Sequence, residues 1–316
     1  MPDNDSDPLE PKVLDWLKNQ DYSLEMRVAQ IFKHVGVEAS QFENYLDPES
    51  NDLREIDVVA STKHQVGEID VSVRLFVECK YLRNPWVIFI SPRRFSPFSY
   101  FSRTLGANYN VHEWKTQDSV QGRLLARILL SLGRENTSKF RFFSMPQTIG
   151  YGVTEALRSE PRAIDNAYTA TMQVSKCIEA HDIEMEMNFQ KTIEEYEERV
   201  YESETGESKF SPWCSIAFPV IVVKGKLFEC YLDSNSEIAL SETMESLVLV
   251  SNKSRSEISS AKPRTSAVRI ITESHTKSFA HEALQAVNAL LSQESAIREL
   301  WEYEYSKISK REHVPF

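Results

Sequence analysis

Two consecutive runs of alternating residues, LREIDVVAST (53–62) and EIDVSVRLFVECKY (68–81), are separated only by the short link KHQVG. Apolar residues at every second position predict β-strands, and so short a link predicts that the two pair antiparallel. Side chains alternate faces along a strand, so residues of equal parity lie together. In 70–81 the odd positions Val71, Val73, Leu75, Val77, Cys79 and Tyr81 form a core face. The even positions are Asp70, Ser72, Arg74, Phe76, Glu78 and Lys80. In 54–60 the same reading turns Ile56, Val58 and Ala60 inward and leaves Glu55 and Asp57 on the opposite side. Pairing then puts Asp57, Glu78 and Lys80 on one polar, solvent-facing side.

Helical spacing appears on both sides of this pair. PKVLDWLKNQ (11–20) and SLEMRVAQIFKHVG (23–36) are predicted helices, the second with Ser23 as N-cap, an apolar stripe of Leu24, Val28, Ile31 and Val35, and Gly36 as its stop. PWVIFI (85–90) is a further strand or a continuation of 68–81. SPRRFSPFSYFSR (91–103) suits a loop. Helices are predicted over 119–133, 163–181 and 183–202, the last acidic, with Ile183, Met187, Ile193, Tyr196 and Val200 beneath its charges. Strands return at 213–225, 226–233, 245–252 and 267–274, the first two abutting at Gly225-Lys226 as a hairpin. The polar stretch 251–266 reads as an exposed loop, and a last helix covers 277–305. Strands bracketing a helical middle predict one α/β domain, residues 21–316, with a helical insertion at about 104–210, preceded by a tail and short helix at 1–20.

Composition narrows the function classes. The chain is 41% hydrophobic and 26% charged, which is ordinary for a globular protein. Its longest apolar stretches are strand-sized, so no membrane span is expected. The polar, acidic N-terminus resembles neither a signal nor a transit peptide, and the four cysteines show no C-x-x-C pair. A reducing, cytoplasmic setting is the expectation. The net charge is -11, yet Cys79–Met145 carries eleven basic residues against three acidic ones, a segment at +8 in a remainder at -19. Such asymmetry fits a polyanion-facing surface on an acidic protein.

Converging carboxylates repel, which suits them to a hard divalent cation, and a neighbouring ammonium can orient water or a phosphate oxygen. The bland alternative for Asp57, Glu78 and Lys80 is an exposed cross-strand salt bridge of about 0.2–1 kcal/mol. Other templates are missing: there is no G-x-x-x-x-G-K-[ST], no G-x-S-x-G and no H-E-x-x-H, and GYGVTE (150–155) is only a fragment of a dinucleotide fingerprint.

The segments SLEMRVAQIFKHVGVEA, REIDVVAS and VRLFVECKYLRNPWVIF together resemble the PD-(D/E)xK nuclease superfamily, in particular its Mrr-type branch found among bacterial defence proteins. The resemblance covers about residues 20–90. It implies a restriction-endonuclease-like mixed sheet core flanked by helices, and a Mg²⁺-dependent (or Mn²⁺-dependent) deoxyribonuclease. By the same resemblance Asp57, Glu78 and the main-chain carbonyl of Cys79 bind the metal, Lys80 positions or activates the water, and Glu25 on the first core helix joins the site. Ile56 stands where many members have proline, and either Gln121 or Gln173 fits the glutamine frequent on a following helix. Arg93, Arg94, Arg103 and Lys115 are candidate contacts to duplex or single-stranded DNA, the two adjacent arginines among stacking aromatics. An antiviral effector role follows from family analogy alone. Target choice is expected in the helical insertion, the arginine–aromatic loop or a partner protein, and a partner protein or a homodimer is the expected association. The competing expectation is a non-catalytic nucleic-acid-binding or assembly subunit that keeps the fold.

Overall fold

The computed structural model describes residues 8–18, 20–66, 69–91, 106–107, 148–158, 165–202, 213–252, 264–292 and 294. The described helices are α1 (Leu9–Lys18), α2 (Asp21–His34), α3 (Asn166–Glu202) and α4 (Thr276–Leu291). The strands are β1 (Glu38–Leu46), β2 (Leu53–Val66), β3 (Ile69–Tyr81), β4 (Trp86–Ser91), β5 (Gly106–Ala107) and β6 (Ile149–Glu155). They continue with β7 (Trp213–Lys224), β8 (Leu227–Leu232), β9 (Ile238–Thr243), β10 (Glu245–Asn252) and β11 (Arg264–Thr272). All belong to one mixed sheet of eleven strands in the order β1-β2-β3-β7-β11-β10-β6-β4-β8-β9, with β5 set against β7. Among the described residues no helix is long and apolar enough to cross a membrane.

Helices cover both faces of the sheet, giving three layers. On one face Leu24, Val28 and Phe32 of α2 and Phe279, Ala283 and Val287 of α4 pack over Val58, Val71, Val73, Val77 and Cys79. On the other, Ala167, Ala170, Val174, Cys177 and Ile178 of α3 pack over Ile56, Val59, Phe76, Ile221 and Ile270. The odd face of β3 is therefore core, as its alternation predicts. Its even face is not the solvent-facing side expected: Phe76 is buried and Glu78 is 0% exposed. A strand interior to a sheet with helices on both sides is covered twice, and its polar members are covered too.

β2 and β3 pair antiparallel, with Val58↔Val77 at one end and Val66↔Ile69 at the other, so both strands run into the predicted link. β3 lies parallel to β7 along its whole length, from Asp70↔Trp213 to Tyr81↔Lys224. β4 is a separate strand between β6 and β8. The expected β7–β8 hairpin does not form, because β8 lies parallel to β4 and antiparallel to β9 instead. Gly225 makes a crossover there: a Cβ on it would stand 2.6 Å from Leu82 Cβ, so the chain passes Leu82 at a distance only glycine allows.

The two helices predicted over 163–202 are one helix of 37 residues. It contains no glycine or proline to interrupt it, and Ile183 and Met187, expected underneath, are exposed. Asp165 caps it, its Oδ1 accepting from Ala167 N at 3.0 Å and from Glu155 N of β6 at 3.2 Å. The segment expected as a helical insertion also supplies β5 and β6 to the sheet. Gly150 lies in β6 opposite Val248, where a Cβ would meet Ile88 Cγ2 at 2.7 Å and Val248 Cγ2 at 2.9 Å. The glycine of GYGVTE thus serves strand packing, and no phosphate loop is formed. β1, β5, β6 and β9 escaped prediction. The helix expected over 119–133, the loop 91–103 beyond Ser91, most of 251–266, and Arg93, Arg94, Arg103, Lys115 and Gln121 lie outside the described residues.

Candidate active site

The ladder between β2 and β3 ends at Val58↔Val77, while β3 stays paired with β7 as far as Tyr81. β2 therefore leaves β3 at Asp57, and the β3 edge at Cys79 and Tyr81 is left without β2 as its strand partner. Backbone N–H groups stripped of a strand partner need another acceptor. Asp57 Oδ2 accepts from Cys79 N at 2.6 Å, and Asp21 Oδ1, from the first residue of α2, accepts from Tyr81 N at 2.5 Å. Two carboxylates thus stand in for the departed strand.

The departure also explains a failure of simple parity. Ile56 packs on the α3 side and Val58 on the α2 side, although alternation places them together. The β1–β2 register passes from Gln41↔Val58 to Glu43↔Ile56, leaving Phe42 opposite Asp57 with φ of 61°. A bulky residue in left-handed conformation marks local backbone strain. The strand twists over at Asp57, which the sequence pattern alone does not show.

Glu78 is 0% exposed, and its Oε2 has no hydrogen-bond partner. Lys80 Nζ stands 2.6 Å from Glu78 Oε1, an ion pair. Burial, then the charge of Asp57, push the Glu78 carboxyl up to about 8, with Lys80 working against them. Burial disfavours the Lys80 ammonium, but Glu78 and Asp57 outweigh it and hold its pKa above the ordinary lysine value. Asp57 is raised by burial, against Lys80 and the Cys79 N–H, with Asp21 and Glu55 adding repulsion.

Glu25 sits one turn into α2, is 4% exposed, and leaves Oε2 without a hydrogen-bond partner. Burial and the charges of Asp57, Asp21 and Glu55 push it up to about 7. Ser23 does not cap this helix. The helix starts at Asp21 after the N-cap Gln20, and Ser23 Oγ donates to the Gln20 carbonyl at 3.0 Å. Gln173, on α3, donates from Nε2 to the Glu55 carbonyl at 3.4 Å, and its own carbonyl accepts from Tyr45 Oη at 3.2 Å. It therefore ties α3 to β2 two residues from Asp57.

Asp57, Glu78, Lys80 and Glu25 lie near enough for their charges to act on one another, with direct contact between Glu78 and Lys80. Among the described residues no group of three or more His, Cys, Asp or Glu side chains is arranged to hold a metal ion. The donor set under consideration is of another kind, two carboxylates and the Cys79 carbonyl. Its oxygens are hard donors, and Glu78 Oε2, buried without a hydrogen-bond partner, suits a cation that would supply what hydrogen bonds do not. Asp21 was missed in the sequence, although an acid at the start of an apolar-periodic helix is the signal for it. No protein-family model, no curated protein and no solved structure matches the chain.

Proposed function

We propose that this chain is a divalent-metal-dependent endonuclease of restriction-endonuclease-like fold that hydrolyses DNA phosphodiester bonds, with Asp57, Glu78, Lys80 and Glu25 as its working residues. The observation that carries the reading is the point where β2 leaves β3 at Asp57, whose carboxylate takes up the Cys79 N–H between Glu78 and Lys80. Buried, mutually repelling acids beside a lysine held in its charged form are uncommon as mere scaffolding and common where chemistry is done.

Asp57, Glu78 and the Cys79 carbonyl would hold Mg²⁺ or Mn²⁺. When bound, the ion polarises a phosphodiester and lowers the pKa of water. The side chain of Lys80, one-quarter exposed against none of Glu78, is the member of the pair that reaches solvent. It can hold a phosphate oxygen or orient a water there. Glu25, with a pKa near neutrality, can hold or release a proton at the working pH.

The test is incubation of plasmid, linear duplex and single-stranded DNA, with RNA alongside, in Mg²⁺ or Mn²⁺, with Asp57→Ala and Lys80→Ala beside the wild type. Metal-dependent cleavage of a DNA form, lost in both folded variants, is expected. Cleavage surviving in both moves the active site elsewhere. Absence of cleavage together with absence of metal binding leaves the fold as a non-catalytic subunit.

A further inference from the structure

Of the two carboxylates that replace β2 along the end of β3, only Asp57 belongs to the expected site. We propose that Asp21 is a positioning residue of the same site, fastening the N-terminus of α2 to the end of β3 so that Glu25 and Lys80 are held in fixed relation. The inference rests on the nuclease reading for its reaction but not for its geometry.

The Cys79 and Tyr81 N–H groups alternate along the edge of β3 that β2 abandons, and Asp57 and Asp21 fill them in turn. The bond to Tyr81 spans 60 residues of chain and joins a helix to a strand. Lys80 sits between the two bonded residues, with its own backbone facing β7 at Val223. Glu25 lies one helical turn beyond Asp21, on the same side of α2. One carboxylate therefore sets the spacing between the element that carries Glu25 and the residue that follows Lys80.

Local chemistry supports this use of Asp21. The N-cap Gln20 contributes no side-chain cap to α2, and the Asp21 carboxylate is committed across to the strand. A carboxylate in the first turn of a helix is also favoured by the aligned peptide dipoles. A second link reinforces the junction: Lys224, beside Tyr81 in the sheet, donates from Nζ to the Lys18 carbonyl at 3.2 Å and lies 4.9 Å from the centre of the Tyr81 ring.

The experiment compares the full chain with Asp21→Ala and Asp21→Asn. Amide hydrogen exchange is followed at Tyr81, with Val77 as an internal control, together with plasmid cleavage and Mn²⁺ affinity. In Asp21→Ala the Tyr81 amide should exchange about tenfold faster or more, with Val77 unchanged. Cleavage or Mn²⁺ affinity should fall about 10–100-fold, as for other groups that orient a site without touching substrate. Asp21→Asn retains an oxygen acceptor and should restore Tyr81 protection and most of the lost function, which a general folding defect would not allow. Unchanged Tyr81 exchange in Asp21→Ala overturns the inference, and so does faster exchange with cleavage and Mn²⁺ affinity intact. A wild-type protein that neither cleaves nor binds Mn²⁺ sinks the nuclease reading, and with it the role of Asp21 in positioning, even if the tie to Tyr81 is real.

Discussion

Lys80 Nζ and Glu78 Oε1, two residues apart on the same strand, stand 2.6 Å from each other with the carboxylate wholly buried and the ammonium one-quarter exposed. A pair this unevenly buried does not behave like a surface salt bridge. Removing the lysine leaves a buried carboxyl with no cation near it, which then keeps its proton to higher pH. Lys80→Ala should therefore lower stability by about 1–3 kcal/mol at pH 8.5. The loss should shrink at pH 6, where Glu78 is already protonated in the wild type. Urea unfolding at the two pH values reads this directly, and equal losses at both contradict the pairing.

The raised carboxyls also set the sign of a pH dependence. Glu78 and Glu25 have folded-state pKa values of about 8 and about 7 against an ordinary 4.5. Between those limits the folded chain binds more protons than the unfolded one. Their contribution is complete below about pH 4.5 and is lost as pH climbs through 7 and 8. The urea midpoint of the metal-free protein should fall from pH 5.5 to pH 8.5, and Glu78→Gln should flatten much of that decline. A midpoint that rises over this range, or a Glu78→Gln profile matching wild type, counts against it.

Those same protons must leave when a cation binds. Mn²⁺ affinity should increase from pH 6.5 to pH 8.5, with proton uptake by the buffer. Calorimetry in two buffers of different ionisation enthalpy should give different apparent heats. Asp57→Ala should abolish the binding. Heats independent of buffer, or a titration that survives in Asp57→Ala, would show that the ion goes somewhere else.

Gly150 offers a test of the sheet away from the site. Its missing Cβ is replaced by Ile88 and Val248 methyl groups, whereas at Gly152 the nearest atom, Phe89 Cδ2, would be an ordinary 3.7 Å away. Gly150→Ala should cost about 1–3 kcal/mol through overpacking. Gly152→Ala should stay within about 0.5 kcal/mol. Similar midpoints for the two proteins in thermal unfolding argue against the β6 register.

The parts of this fold that were legible in sequence are those where one rule acts alone. Alternation announced β2 and β3, and the apolar stripe of α2 announced the helix over them. Glu78 and Lys80 were readable because charges in an apolar strand have no cheap place to be. What was hidden depends on a third element. That Glu78 is dry follows from α3, whose position no local pattern gives. Ile56 and Val58 face opposite ways because β2 twists over at Asp57, opposite Phe42 of β1. Gly225 looked like a hairpin turn because a close pass by Leu82 and a turn both select glycine. Asp21 was overlooked since its partner, the Tyr81 N–H, lies 60 residues away and becomes available only because β2 ends its ladder early.

β3 is an interior strand, gripped by β7 along one edge and by β2 along most of the other. Its neighbours permit no sliding, since a slip of one residue would throw Glu78 and Lys80 to the opposite side of the sheet. Loosening it would mean taking apart the middle of the molecule. On the nuclease reading, control would therefore fall to elements outside β3, because bending the strand itself is too costly to serve as a switch.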